Sequence, residues 1–243
     1  MFKWLKQKAL RLVRTGSVPK HVAFIMDGNR RWATKSGMKK FQGHSYGLEK
    51  LLEVLEWCLE LGIGIVTVYA FSTDNFKRPD EEVNELMRLF LVACEKLSAK
   101  KSEVIAKGVK IRIIGDLEGF PAAQQEALRN LERETEHHNI CTLNICLGYG
   151  SAEEIVKTIN GIKEKINKGI LTAEEVNQST FESELMVSEP VDLMIRTGES
   201  RLSNFLLYQS SQRTKFMMIT DVLWPELKIW HMVYIMFSYQ FLL

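Results

Sequence analysis

Asp27, Gly28, Asn29, Arg30 and Arg31 follow directly on the apolar run His21-Val22-Ala23-Phe24-Ile25-Met26, with Trp32 next in line. The apolar run reads as a buried strand, so the polar cluster falls at its carboxyl end, where open α/β sheets build ligand sites. Each residue type suits a diphosphate. Gly28 lets the backbone come close to a ligand, Arg30 and Arg31 offer forked donors for phosphate oxygens, and the Asp27 carboxylate can hold a hard cation that bridges those oxygens. The same residues also fit a plain strand-to-helix turn in which Asp27 or Asn29 caps the helix and the arginines are solvated.

Such a cluster needs a rigid frame, and the chain supplies one. Apolar or β-branched runs at Gly64 to Phe71, Val109 to Ile114, Cys141 to Leu147, Val191 to Ile195 and Phe216 to Val222 read as further strands. Helix-like segments separate them. This alternation predicts an α/β fold: one domain with a largely parallel central sheet of about six strands flanked by helices. A Leu- and Glu-rich helix is expected from about Gly47 to Leu61, and a long helical pattern from about Glu81 to Lys107. On periodicity alone that long helix belongs to the core. Ahead of the frame, residues 2–14 mix apolar groups with Lys3, Lys6, Lys8, Arg11 and Arg14 and contain no acid. This basic amphipathic helix is too short and too charged to span a bilayer. It can lie among lipid headgroups with Phe2 and Trp4 inserted, or pack its apolar stripe on the protein's own surface. The chain thus divides into an N-terminal helix, 1–16, and a domain, 17–243.

Composition narrows the function classes. A net charge of +2 with no concentrated basic face in the body of the protein argues against nucleic-acid binding. Cys58, Cys94, Cys141 and Cys146 lack paired metal-ligand spacing and read as reduced core thiols, and the five histidines form no zinc pattern. Gly148-Tyr149-Gly150 lacks the rest of a dinucleotide or P-loop fingerprint. Asn177-Gln178-Ser179 is a chance match to a glycosylation acceptor, with no secretory signal in view.

The first block closely resembles the signature of the cis-prenyltransferases, the family of undecaprenyl and dehydrodolichyl diphosphate synthases. Gly43-His44, the stretch from Tyr69 through Ser72, Asn75, Phe76 and Arg78 to Pro79, Ile113-Ile114-Gly115-Asp116, Asp192 to Glu199, Arg201 to Leu207 and Leu223-Trp224-Pro225-Glu226 follow in the family's order. The resemblance covers about residues 18 to 230. It implies an enzyme that joins isopentenyl diphosphate to an allylic diphosphate, farnesyl diphosphate, forming a cis double bond and releasing pyrophosphate, with Mg2+ as cofactor. It also implies that the 81–107 helix lines an apolar tunnel for the growing tail, about one turn longer than in bacterial members.

Carried over residue by residue, the resemblance makes Asp27, Asn29, His44 and Asn75 the catalytic set, with Asp27 holding the metal. Asn29 would steer proton removal or hold the diphosphate, and His44 would support it. Gly28, Arg30, Arg31, Trp32, Lys40, Ser72, Phe76 and Arg78 would bind substrate, and Arg196, Arg201 and Ser203 would grip isopentenyl diphosphate. Asn29 and His44 also fit turn or capping positions, Arg78-Pro79 also fits a helix start, and the later arginines also fit surface pairs with Glu199.

The match has departures. Arg196-Thr197-Gly198-Glu199 is one residue shorter than the family's usual loop, which puts the second grip at issue because phosphate clamps are sensitive to ångström shifts. Lys40 replaces an arginine, losing the fork, and Tyr208 replaces a tryptophan. Nothing after Trp224 resembles the Arg-x-Gly motif with which homodimeric relatives complete a neighbour's site. Eukaryotic dehydrodolichyl synthases take that motif from an accessory subunit of the Nogo-B receptor type. The apolar stretch 229–243 suits such a partner or a buried terminal helix. The resemblance therefore leads to an expected catalytic subunit making dehydrodolichyl diphosphate for dolichol and protein glycosylation, at the cytoplasmic face of the endoplasmic reticulum membrane. The alternatives are a homodimeric synthase of shorter or undecaprenyl-type product, and a non-catalytic scaffold subunit if the shortened loop abolishes activity.

Overall fold

The computed structural model describes residues 2–98 and 102–241; the side chains of residues 2–7, 103 and 104 lie outside that description, and with them Phe2 and Trp4. Six strands form one sheet: β1 His21–Ile25, β2 Ile65–Ser72, β3 Val109–Gly115, β4 Cys141–Tyr149, β5 Leu193–Thr197 and β6 Lys215–Ile219. Their order is β3-β4-β2-β1-β5-β6, and every pairing is parallel. All six expected strands are present. The last ends at Ile219 rather than Val222, because the chain turns there toward a 3-10 turn at Trp224–Glu226.

β1 lies at the centre and is buried along its whole length. Side chains alternate across it, as the pleat demands. Val22 and Phe24 enter the main core with Leu193 and Ile195 of β5, whereas Ala23, Ile25 and Met194 face a smaller core closed by Val187, Phe205 and Leu206. Helices α2 Asn29–Lys35, α3 Gly43–Leu61, α4 Asp80–Leu97, α6 Ala122–Thr135 and α9 Ile229–Phe241 surround the sheet, together with α7 Ser151–Asn167 and the short α5 Glu103–Ala106 and α8 Gln178–Glu184.

The expected long helix from Glu81 to Lys107 is instead two. α4 ends at Leu97, where Ser98 takes extended backbone (φ −54°, ψ 136°) and turns its hydroxyl to Glu134 Oε2 at 3.1 Å. At the N-terminus, α1 Phe2–Arg14 packs on α3 and α9 and places Leu10 and Val13 in the main core, while Leu12 remains 73% exposed. All four cysteines are free and buried. No helix among the described residues is long and apolar enough to cross a membrane.

Candidate active site

β1 and β5 are neighbours, with Ile25 in register with Arg196, so the segments leaving both strands meet above the sheet's carboxyl edge. Asp27 stands at this junction. Its main-chain oxygen accepts hydrogen bonds from Thr197 Oγ1 at 2.7 Å and from the Trp224 amide at 2.9 Å, which fixes where the carboxylate emerges. Arg196 Nη2 donates to Asp27 Oδ2 at 2.8 Å, and Arg31 Nη2 lies 3.2 Å from Oδ1. Glu199 Oε2 accepts from the same Arg196 nitrogen at 3.1 Å and from Arg201 Nε at 2.6 Å. Arg196 Nη1 completes the cluster by donating to Ser203 Oγ at 2.7 Å. Three guanidinium groups here face two carboxylates, an excess of positive charge suited to a polyanion.

The geometry speaks against Asp27 as a helix cap: Gly28 precedes α2 without any side-chain cap, and the Asp27 carboxylate is turned to the arginines. Gly28 holds a φ of +105°, and a Cβ there would come within 2.9 Å of Leu223 Cβ, so only glycine fits this turn. Asn29 donates through Nδ2 to the Met26 carbonyl at 3.1 Å, leaving its Oδ1 buried without a hydrogen-bond partner. Gly43 lets α3 approach: a Cβ there would lie 2.0 Å from the Asn29 carbonyl oxygen.

A second cluster flanks the first. Glu82 Oε1 accepts from Arg78 Nη1 at 2.9 Å, with Arg30 Nε 3.5 Å and His44 Nε2 3.6 Å away and no hydrogen bond from the imidazole. Burial first, and then the Arg78 guanidinium, pull the His44 imidazole down to about 4 against the attraction of Glu82. His44 is therefore neutral at pH 7, and again two guanidinium groups face one carboxylate. Nearby, Asn75 Oδ1 accepts from the Ser72 amide at 3.1 Å and closes the 3-10 turn Thr73–Lys77.

Both clusters open onto one cavity of about 1070 Å³. Its walls change character with depth. The mouth is charged, and the trough behind it is lined by Leu86, Leu89, Phe90, Ala93 and Leu97 of α4, facing Leu48 and Leu51 of α3. The α4 spacing is that of one helix face, so this helix lines the cavity with apolar side chains although it stops at Leu97.

The cavity gathers every expected site residue except two: Asp27, Gly28, Asn29, Arg30, Arg31, Lys40, His44, Ser72, Asn75, Arg78, Arg196, Arg201 and Ser203 all line it. Trp32 and Phe76 do not. One position beyond Arg31 on α2, Trp32 turns outward and packs on Tyr46 with ring centroids 4.6 Å apart. Phe76 joins an aromatic cluster, 4.8 Å from Phe71 and 5.5 Å from Phe120. The shortened loop still presents Arg196, Arg201 and Ser203 together, and the carbonyl of Gly198, a residue at φ +76°, accepts from Arg31 Nη1 at 2.9 Å. Glu82 escaped the sequence reading, although its position four residues after Arg78 is the spacing of a helical ion pair.

No group of three or more acidic, histidine or cysteine side chains that could cage a metal occurs among the described residues. A lone carboxylate nevertheless fits Mg2+, which is commonly held by one or two carboxylates together with substrate phosphates. Asp27, partly exposed at the cavity mouth, is placed for that role.

Comparison with known proteins agrees with this geometry. The Prenyltransf family, described as undecaprenyl diphosphate synthase, matches residues 25–242. An isoprenyl transferase of Thermus thermophilus is 44% identical over 98% of this chain and 92% of its own length. The dehydrodolichyl diphosphate synthase complex subunit of Homo sapiens is 39% identical over 98% of this chain and 74% of its own. Among solved structures, lavandulyl diphosphate synthase from Lavandula x intermedia, in complex with dimethylallyl diphosphate, superposes with a TM-score of 0.85 at 30% identity, covering 92% of this chain and 95% of that one.

Proposed function

The chain belongs to the undecaprenyl diphosphate synthase family of cis-prenyltransferases, and from that premise we propose that it extends farnesyl diphosphate with isopentenyl diphosphate to a long, dehydrodolichyl-type polyprenyl diphosphate. The product would serve dolichol synthesis and protein glycosylation at the cytoplasmic face of the endoplasmic reticulum. The observation that carries the reading is a cationic mouth, built on Asp27, Arg31 and Arg196, opening into an apolar trough.

The division of labour is taken from the family resemblance, and the geometry is compatible with it. Arg31 and the backbone after Gly28 hold the allylic diphosphate, while Arg196, Arg201 and Ser203 hold the second one. Asp27 is the residue that would hold Mg2+, a cation that would supply positive charge for the departing diphosphate. Asn29 lines the same cavity and is assigned, by the resemblance, to steering proton removal or holding the diphosphate. Neutral His44 packs beside Glu82, which pairs with Arg78 and Arg30. The α4 trough takes the hydrocarbon out of water.

An accessory subunit of the Nogo-B receptor type belongs to the same proposal. Its support is the human relative, named as a subunit of a complex, and the outer face of α9, where Trp230, Tyr234, Phe237 and Phe241 are exposed at helical spacing. Peripheral membrane contact is assigned to α1, whose exposed Arg11 and Leu12 sit together on one outer surface. The test is incubation of the purified protein with farnesyl diphosphate, labelled isopentenyl diphosphate and Mg2+, alone and with the accessory subunit, followed by sizing of the product.

A further inference from the structure

We propose that Glu153 is a positioning residue that clasps the two loops of the active site together and thereby sets the affinity for isopentenyl diphosphate; the proposal rests on the prenyl-transfer reading above. Glu153 lies in the first turn of α7 and does not line the main cavity. Its two carboxylate oxygens point to different loops. Oε1 accepts from Thr73 Oγ1 at 3.1 Å, and Oε2 accepts from Asn204 Nδ2 at 2.9 Å. Thr73 begins the turn that carries Asn75 and leads to Arg78, and Asn204 follows Ser203, the hydroxyl that receives Arg196. One side chain thus joins the two halves of the charged mouth.

The loop on the Asn204 side needs such support. Ser203, Asn204 and Leu206 have φ values of 52°, 59° and 45°, a left-handed conformation that side chains other than glycine adopt at a cost. Asparagine tolerates it better than serine or leucine, and Asn204 is the residue through which the loop is tied. Its carbonyl accepts from the Ser151 amide at 2.8 Å, its Oδ1 accepts from the Ala152 amide at 2.9 Å, and its Nδ2 reaches Glu153. The Leu207 amide then donates to Ser151 Oγ at 3.0 Å. The turn on the Thr73 side is held separately by Asn75. Loss of Glu153 therefore loosens the loop of Arg201 and Ser203 more than the turn of Asn75.

Glu153 forms no ion pair among the described residues, so a surface salt bridge does not account for it. An acid in the first turn of a helix also favours the helix itself, which is the purely structural explanation. That explanation predicts a lower melting temperature with unchanged substrate affinities.

The experiment compares Glu153→Ala, Glu153→Gln and Thr73→Val by steady-state kinetics and by hydrogen exchange without substrate. We expect Glu153→Ala to raise KM for isopentenyl diphosphate about five- to tenfold, with kcat and KM for farnesyl diphosphate changed less than about twofold, the scale of one lost charged hydrogen bond. Glu153→Gln keeps the span and should recover most of the loss. Thr73→Val combined with Glu153→Ala should be no worse than Glu153→Ala alone. Amides of Ser151, Ala152 and Leu207 should exchange faster in Glu153→Ala. Unchanged exchange, additive effects in the double variant, or a fall in kcat without a KM change would each overturn the clasp. Faster exchange in a protein whose parent turns over no substrate would leave the clasp standing and remove the prenyl-transfer reading instead.

Discussion

Arg196 Nη2 donates to Asp27 Oδ2 at 2.8 Å, joining residues 169 positions apart at the ends of adjacent parallel strands. The Arg196 side chain is only 3% exposed, so its charge depends on Asp27 and Glu199 for compensation, and Ser203 accepts a further hydrogen bond. The pair links the two proposed diphosphate grips: one partner belongs to each. Asp27 thus has a structural duty as well as a chemical one.

This dual duty decides which variant tests the chemistry. Asp27→Asn keeps an oxygen for Arg196 while removing the charge, and turnover should fall about a hundredfold or more at saturating Mg2+. Asp27→Ala should show the same loss plus a stability cost of about 1–3 kcal/mol, because a buried guanidinium loses a partner. Turnover of Asp27→Asn near that of the parent would remove the metal-binding role.

Acid should destabilise the fold through His44. Its imidazole is held at about 4 in the folded chain and returns to the ordinary 6.5 on unfolding. Above pH 6.5 the ring is neutral in both states; between 6.5 and 4 the unfolded chain takes up the proton first, so stability falls as pH falls through that window. The loss is on the order of 3 kcal/mol at most. His44→Gln should flatten the fall in melting temperature across the window without abolishing it, since His21 is also held down by burial. An unchanged slope in His44→Gln would show that the ring does not titrate as described.

Depth of the trough should govern product length. Ala93 is a small residue on the cavity-facing side of α4, between Phe90 and Leu97. Ala93→Phe should shorten the product by one or more five-carbon units while leaving KM for isopentenyl diphosphate unchanged, because the charged mouth is untouched. Products of parental length from this variant would place the tail elsewhere.

Removing α1 to test membrane contact would also remove Leu10 and Val13 from the core, so substitutions on its outer face are the cleaner probe. Arg11→Glu with Leu12→Asp should weaken flotation with vesicles containing anionic lipid, with about 1 kcal/mol per charge at stake. Unaltered flotation would assign α1 a packing role alone.

The strands and the first half of the mouth were legible in the sequence because both are local signals. Unbroken apolar runs located all six strands, and Asp27 and Arg31 follow directly on one of them, whereas Arg196 and Ser203 were reached through the family resemblance. Facing was less legible. Trp32 and Phe76 neighbour true lining residues in sequence, but the helix and the 3-10 turn rotate them onto Tyr46 and Phe120. The break at Ser98 was hidden because apolar periodicity continues past it to Ile105, which is buried in its own right. Glu153 and Asn204 carry no local mark at all; their meaning arises only when α7 meets the left-handed loop.

The central claim, that this chain's charged mouth and apolar trough perform cis-prenyl transfer to a long product, is tested most directly by one measurement. That measurement is the length distribution of labelled polyprenyl product made from farnesyl diphosphate and isopentenyl diphosphate with Mg2+, with and without an accessory subunit of the Nogo-B receptor type. Little turnover is expected from the chain alone, with a gain of about a hundredfold or more with the partner, giving long chains. Robust synthesis of shorter chains by the purified protein alone would contradict the partner and the dehydrodolichyl product, and no product in any combination would contradict catalysis by this chain.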